Sequence, residues 1–333
     1  MSGDWTHRPE GGGRFALRLF RAVACKGGRR LARSLLYPIT LYFTFVRGPE
    51  RRASIAYLTR VLDRPARLGD GMRHVYTFAA TILDRVFLLS GRIADFDVTV
   101  QGLDTLHTAL DQRRGVLLFG SHLGSFEVLR ALAREGSQYT IRVVLDKKMS
   151  PALTQLLDEI SPEIAAGVID ASQDGPAIAM QIQQACSEGA LVALLVDRVR
   201  GNEPALPAPF LGQPAWFPTA PWLMAAALKV PVVLGFGLYR GGNRYELVFE
   251  SFTDLVVVPR QRRVAALATL IGRYATRLET FARAFPYNWF NFYDFWTPRE
   301  GQSAMDAAAL DNAAVQRRTA MGERAGTRRA GTD

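Results

Sequence analysis

The segment Gly115-Val-Leu-Leu-Phe-Gly-Ser-His-Leu-Gly-Ser-Phe-Glu127 carries the side chains best suited to chemistry. An apolar run of strand type meets a glycine-containing turn and then enters EVLRALAREG, a stretch of helical character. His122 falls at the carboxyl end of that strand, where open α/β sheets bind ligands and a following helix offers free N–H groups. On one continuous helix His122 and Glu127 could not meet, because five residues at about 100° each leave them roughly 140° apart. The turn at Gly124 removes that objection. Glu127 is then expected to accept from one imidazole nitrogen and fix the tautomer, making the other nitrogen a base. The N–H groups of Gly124 and Ser125 are the expected donors to an oxyanion. A core histidine satisfied by backbone is the plainer reading of a lone imidazole. Here strand, turn, carboxylate and helix start agree on catalysis.

Gly120-Ser-His-Leu-Gly124 has the frame of a G-x-S-x-G nucleophile elbow, yet histidine stands where the nucleophilic serine belongs. Ser121 or Ser125 would each need a second histidine, and His7, His74 and His107 lie in other contexts. What remains is direct attack by a substrate hydroxyl, deprotonated by His122, on a thioester carbonyl.

The elements that must position these residues read as follows. Residues 15–91 are mostly helical, and RHVYTFAATILDRVFLLSG places Val75, Phe78, Ile82, Val86 and Leu89 on one face, with Gly91 as a stop. Short apolar runs at 115–121, 139–145, 167–170 and 190–196, separated by helical spacing, predict a mainly parallel, mixed sheet flanked by helices, an α/β fold. Residues 230–239 and 245–250 read as a hairpin added to that sheet, and a long helix follows from about Arg260 to Ala284. The organisation expected is a tail at 1–13, a helical, membrane-interfacial region at 14–94, a catalytic domain at 95–298 and a second tail at 299–333.

With 333 residues, 48% of them hydrophobic, the chain can bury a large core. A net charge of +10 favours anionic partners, and Cys25 and Cys186, far apart, indicate neither a disulfide framework nor a thiolate metal site. The run Ser34 to Val46 falls short of the roughly 20 residues that cross a bilayer. Its Tyr37, Tyr42, Phe43 and Phe45, with Arg14, Arg18, Arg21, Lys26, Arg29, Arg30 and Arg33 upstream, suit a segment lying among headgroups; a buried core helix is the other reading. No Walker A sequence, G-x-G-x-x-G, zinc spacing or base-reading helix occurs, which disfavours nucleotide, metal and nucleic-acid chemistry.

On these residues the chain resembles the lysophospholipid acyltransferase superfamily, and within it the bacterial lipid A late acyltransferases that add lauroyl or myristoyl chains. The resemblance covers about residues 30–298. His122 and Glu127 match its H-x-x-x-x-E motif, the glutamate pointing to the lipid A branch. Leu194-Leu-Val-Asp-Arg198 resembles the second block, which puts Asp197 and Arg198 near the acyl or headgroup site. Ala208 to Pro221 resembles the third, with Phe210 and Gly212 in its F-x-G core and Pro218 to Pro221 opening a helix; Val230-Pro-Val-Val-Leu-Gly235 resembles the fourth. Trp216 and Phe217 depart from the Ala/Thr-rich residues of the lipid A enzymes.

The resemblance implies a membrane-associated O-acyltransferase with no cofactor. Its co-substrate is acyl-ACP or acyl-CoA, its acceptor a lipid or glycolipid, and its place the cytoplasmic face of a bacterial inner membrane, held peripherally or monotopically. Related branches acylate pigments, polyenes or phosphoinositide mannosides. A thioesterase or lipase, or a non-catalytic lipid-binding scaffold, are the rival classes. Arg198 suits a phosphate or an oxyanion, or a structural pair with Asp197 or Asp146. The aromatic run Phe285 to Trp296 suits an acyl channel, an interfacial belt or a core beneath the sheet, and Lys147 and Lys148 suit acidic headgroups or a carrier protein, or plain solvation.

Overall fold

The computed structural model describes residues 28–128, 139–148 and 165–297. The tails at 1–13 and 299–333, Arg14, Arg18, Arg21, Cys25, Lys26 and most of EVLRALAREG lie outside them.

Three helices form the N-terminal layer: α1 (Leu36–Val46), α2 (Gly48–Val61) and α3 (Leu68–Leu89). Pro49 stands in the first turn of α2, where its missing N–H costs nothing, and it bars α1 from running on. At the start of α3, the Asp70 carboxylate accepts from the Arg67 N–H at 2.8 Å, and Gly91, at φ +77°, follows its end. Among the described residues no helix is long and apolar enough to cross a membrane.

A seven-stranded sheet follows: β1 (Asp97–Gln101), β2 (Val116–Gly120), β3 (Ile141–Leu145), β4 (Val168–Asp170), β5 (Leu191–Leu195), β8 (Val232–Gly241) and β9 (Arg244–Thr253), in the order β1-β9-β8-β2-β5-β3-β4. The five strands from β8 to β4 are parallel; β9 turns back antiparallel on β8, and β1 runs parallel to β9. The short apolar runs and the hairpin expected from sequence are these strands. A separate hairpin, β6 (Ala205–Phe210) with β7 (Gln213–Pro218), forms from the Pro- and aromatic-rich third block, which the periodicity did not mark as strand.

Side chains alternate across the central strands, so Leu117, Phe119, Val192 and Leu194 enter one core while Val116, Leu118, Leu191 and Ala193 enter the other. Helices α5 (Gly175–Ser187), α6 (Ala220–Leu228) and α7 (Arg263–Ala284) cover the first face. Along α7, Leu267, Leu270, Ile271, Tyr274 and Leu278 recur at helical spacing and are buried, about 1.5–3 kcal/mol for each large apolar side chain removed from water. Helix α4 (Leu103–Asp111) and α3 cover the second face through Leu106, Leu110, Leu83 and Phe87.

The stripe expected to bury α3 behaves differently. Val86 and Leu89 are buried, but Phe78 is 36% exposed, and Val75, Phe78 and Ile82 line clefts instead of core. The face α3 turns inward carries His74, Thr77, Ala80, Leu83, Asp84 and Phe87. Its polar members are bonded: His74 to Ser54, Asp84 to Arg29 and Tyr245, and Thr77 to its own turn.

Candidate active site

β2 and β5 are neighbours with Gly120 opposite Leu195, and each chain continues two residues past that pair to a functional side chain. His122 and Asp197 therefore arrive side by side at the carboxyl edge of the sheet. The imidazole Nδ1 lies 2.8 Å from Asp197 Oδ1, and the His122 backbone N–H donates to Oδ2 at 3.0 Å. The Trp289 indole N–H donates to the same Oδ2 at 3.0 Å. Asp197 is fully buried, and Arg198 Nε stands 4.0 Å from it. Burial alone would raise its pKa, but the charge and hydrogen bond of His122, the Arg198 guanidinium and the Trp289 donor outweigh that and hold it well below the usual carboxylate range.

His122 itself has its pKa lowered, by desolvation first and by Arg198 second, against the pull of Asp197. Its side chain keeps 34% exposure and lines a cavity. The imidazole is thus neutral near pH 7. With Nδ1–H given to Asp197, Nε2 is the nitrogen free to act as base.

This corrects the expected pairing of His122 with Glu127. Glu127 is 5% exposed and faces the same cavity, but its Oε1 pairs with Arg85 Nε at 2.9 Å and its Oε2 accepts from Ser125 Oγ at 3.3 Å. The helix at Phe126 begins so soon after the turn that the carboxylate is carried toward α3. Asp197, expected near an acyl chain or headgroup, is instead the partner of the His122 imidazole. The sequence held a signal for this: VLLFG and LVALL are apolar runs of equal length, each followed after one residue by a side chain able to do chemistry, His122 and Asp197.

The loop that presents His122 is seated by backbone. Gly124, at φ +77°, has room only for hydrogen, since a Cβ there would stand 1.8 Å from the Gly237 carbonyl oxygen; a Cβ on Gly237 would stand 2.1 Å from that of Ser125. The Ser125 N–H donates to Gly237 O at 2.7 Å and the Gly124 N–H to Asn288 O at 2.8 Å. Both expected oxyanion donors are therefore spent on the fold. Arg198 remains: it lines the cavity, its guanidinium lies over the Tyr293 ring at 5.2 Å, and one terminal nitrogen donates to the Phe290 carbonyl at 2.6 Å. Arg200, not Arg198, approaches Asp146, at 3.7 Å.

The aromatic run after α7 closes the site. Leu123 and Trp289 form a β-bridge, and the Phe290 N–H donates to the His122 carbonyl at 3.0 Å. Asn288 pairs its side chain with both backbone groups of Tyr239 on β8, at 2.7 and 3.2 Å. His74 accepts the Ser54 hydroxyl at Nδ1, 2.7 Å, and donates from Nε2 to the Trp289 carbonyl at 2.9 Å; burial lowers its pKa to about 4. Phe290, Phe292 and Tyr293 line the cavity while Trp289 and Phe295 are buried, so the run serves both as cavity wall and as core. Asn288 and Trp289 were read from sequence only as members of the aromatic run and His74 only as a histidine in another context, while Gly237 and Arg85 were not singled out; the G-x-G inside strand β8 was the local cue to Gly237.

The cavity lined by His122 holds 370 Å³ and is walled mainly by apolar groups, Phe78, Ile82, Val144, Leu195 and Phe292 among them, with Arg85, Glu127, Arg198 and Glu50 as its charges. Phe210 and Gly212, expected as substrate contacts, do not belong to its wall. Phe210 is fully buried, with Trp289 and Trp296 at ring-centroid distances of 5.1 and 6.1 Å. Gly212, at φ +80° beside Leu211 at +50°, makes the tight turn between β6 and β7. Among the described residues Ser121 and Ser125 have no histidine partner, His74 and His107 being engaged elsewhere, and burial raises the Cys186 thiol to about 11. Among the described residues no three His, Cys, Asp or Glu side chains are grouped to hold a metal ion.

Compared with known proteins, residues 72–297 match the model of one family, described as bacterial lipid A biosynthesis acyltransferase. No curated protein matches the chain.

Proposed function

The chain belongs to the bacterial lipid A biosynthesis acyltransferase family and is an acyltransferase acting on lipid; from that premise we propose that it moves a fatty acyl chain from acyl carrier protein or coenzyme A onto a hydroxyl of a lipid or glycolipid at a membrane surface. The observation that carries the mechanism is the His122–Asp197 pair on the wall of an apolar cavity. Nε2 takes the proton of the acceptor hydroxyl as its oxygen attacks the thioester carbon. Asp197 holds the tautomer and steadies the imidazolium, and Arg198 faces the developing oxyanion. The thiolate leaves and takes the proton back, without an acyl-enzyme. Glu127 and Arg85, paired with each other in the cavity wall, orient the acceptor. The acyl chain lies against Phe78, Ile82, Leu195 and Phe292.

Membrane association is supported by α1, whose outer face exposes Tyr37, Leu41, Tyr42, Phe45 and Val46, by 63, 44, 58, 60 and 58%. Supplying a radiolabelled acyl thioester with and without membrane lipid tests the whole reading. Lipid-dependent ester formation, lost in His122→Ala, is the expected result. Release of free fatty acid without lipid identifies a thioesterase instead, and an unaffected His122→Ala enzyme removes the mechanism.

A further inference from the structure

A second cavity, of 290 Å³, adjoins the catalytic one and shares Glu50, Phe78, Ile82 and Phe292 with its wall. The mechanism above makes no use of it. Leu36, Ile39 and Phe43 of α1 face Val75 and Ala79 of α3 across it, which gives it an apolar body. Its other end, at the junction of α1 and α2, is polar and carries Thr44, Arg47, Glu50 and Arg51. These two helices lie outside the residues matched to the family.

Two donors at that end are buried without a hydrogen-bond partner: the hydroxyl of Thr44, a residue only 1% exposed, and Nε of Arg47. A helical threonine ordinarily returns its hydroxyl to the preceding turn, as Thr77 does to Arg73 O at 2.8 Å. Thr44 does not. Arg47 gives one terminal nitrogen to Glu50 at 2.8 Å, and Arg51 gives one to the Thr44 carbonyl at 2.8 Å. An alkyl chain in this cavity would leave the hydroxyl and the Nε–H against hydrocarbon, at about 1–3 kcal/mol for each unsatisfied group. Two guanidinium groups against one carboxylate leave the end net positive. An oxygen-rich anion resolves both deficits, and Arg binds phosphate through just such paired N–H donors.

We propose that this cavity binds the phosphate-bearing headgroup of the acceptor lipid, with Thr44 and Arg47 donating to the phosphate and Leu36, Ile39 and Phe43 holding the first carbons of the lipid. A lipid is favoured over free phosphate because the apolar body is continuous with the polar end and because α1 turns its exposed aromatics outward from the same place. That the lipid is the acceptor rests on the proposed acyl transfer; that the cavity binds it does not.

Calorimetric titration of the full-length protein with dihexanoyl phosphatidic acid, dihexanoylglycerol and inorganic phosphate tests it. The parent is expected to bind the phosphatidic acid at least about tenfold more tightly than either control, with Arg47→Gln and the isosteric Thr44→Val each weakening it about tenfold, the worth of one lost charge-assisted or buried hydrogen bond. Unchanged affinity in both variants overturns the proposal, as does no binding by the parent. Dihexanoylglycerol binding as well as phosphatidic acid makes this a plain chain pocket, and phosphate alone binding as well makes it an ion site; either result also overturns it. Should Arg47→Gln not fold, Thr44→Val, which keeps shape and volume, decides. If phosphatidic acid binds as expected but no lipid is ever acylated, the transfer reading falls and this site stands.

Discussion

Replacing Asp197 with Asn keeps the shape of the site and removes one thing, the capacity to accept from every side. Three N–H groups converge on this carboxylate: His122 Nδ1 on Oδ1, and the His122 backbone and Trp289 indole on Oδ2. An asparagine has one acceptor oxygen. That oxygen takes the Oδ2 position, where two fixed donors point, and the amide NH₂ is left facing Nδ1. The imidazole must then accept at Nδ1 and carry its proton on Nε2, the nitrogen needed as base. A correctly placed base contributes about 10²–10⁴ in rate, about 2.7–5.5 kcal/mol at about 1.36 kcal/mol per decade. Steady-state transfer by Asp197→Asn should fall by about that factor in kcat with KM moving by less than about threefold, because the cavity wall is untouched. The readout is ester formation from a labelled thioester on vesicles, alongside a circular dichroism spectrum that matches the parent. A folded Asp197→Asn enzyme within about threefold of parental kcat would refute the role of the pair.

Further expectations concern pH, the catalytic loop and the cavity charges. Because desolvation and Arg198 lower the His122 pKa, the acid limb of kcat/KM should lie below pH 6.5, and Arg198→Gln, which removes one lowering cause, should move that limb to higher pH. Buried His74, with a pKa of about 4, is neutral in the fold while an unfolded histidine near 6.5 takes a proton, so the unfolded state binds more protons between those values and stability is lost as pH falls through that window. Urea unfolding at pH 5 should show a His74 contribution of about 2 kcal/mol relative to pH 7, and His74→Gln should abolish that part of the slope. Gly124→Ala forces a Cβ to 1.8 Å from the Gly237 carbonyl, so it should cost about 3 kcal/mol or more in chemical denaturation and abolish transfer. Glu127→Gln and Arg85→Gln should each lower activity at least about tenfold, and the double variant no further, because both break one ion pair.

Strand periodicity was legible wherever a strand is buried on both faces, as β2, β5 and β8 are, since such runs need no partner to be recognised. β6 and β7 were not, because Pro207, Pro209 and Pro214 suppress any strand signal in a two-stranded ribbon. His122 was legible from its strand end and turn. Its partner was not, for sequence proximity favoured Glu127 while the geometry is set by the register of β2 on β5, a long-range fact. The oxyanion expectation failed for a related reason: the N–H groups of Gly124 and Ser125 meet the backbone of Asn288 and of Gly237, far along the chain. Helix α3 misled in a different way. An apolar stripe marks a face that avoids water, and a cleft awaiting an apolar ligand satisfies that as well as a core does.

The contact of Gly124 with Gly237 has a consequence for how the enzyme can diversify. The loop that carries His122 is seated by main-chain atoms and two missing side chains, and Asp197 fixes the ring, so neither anchor comes from the apolar wall of the cavity. On the proposed mechanism, exchanging the cavity-wall residues Phe78, Ile82, Leu195 and Phe292 for larger or smaller groups should retune chain length and acceptor while the loop of His122 keeps its backbone seat.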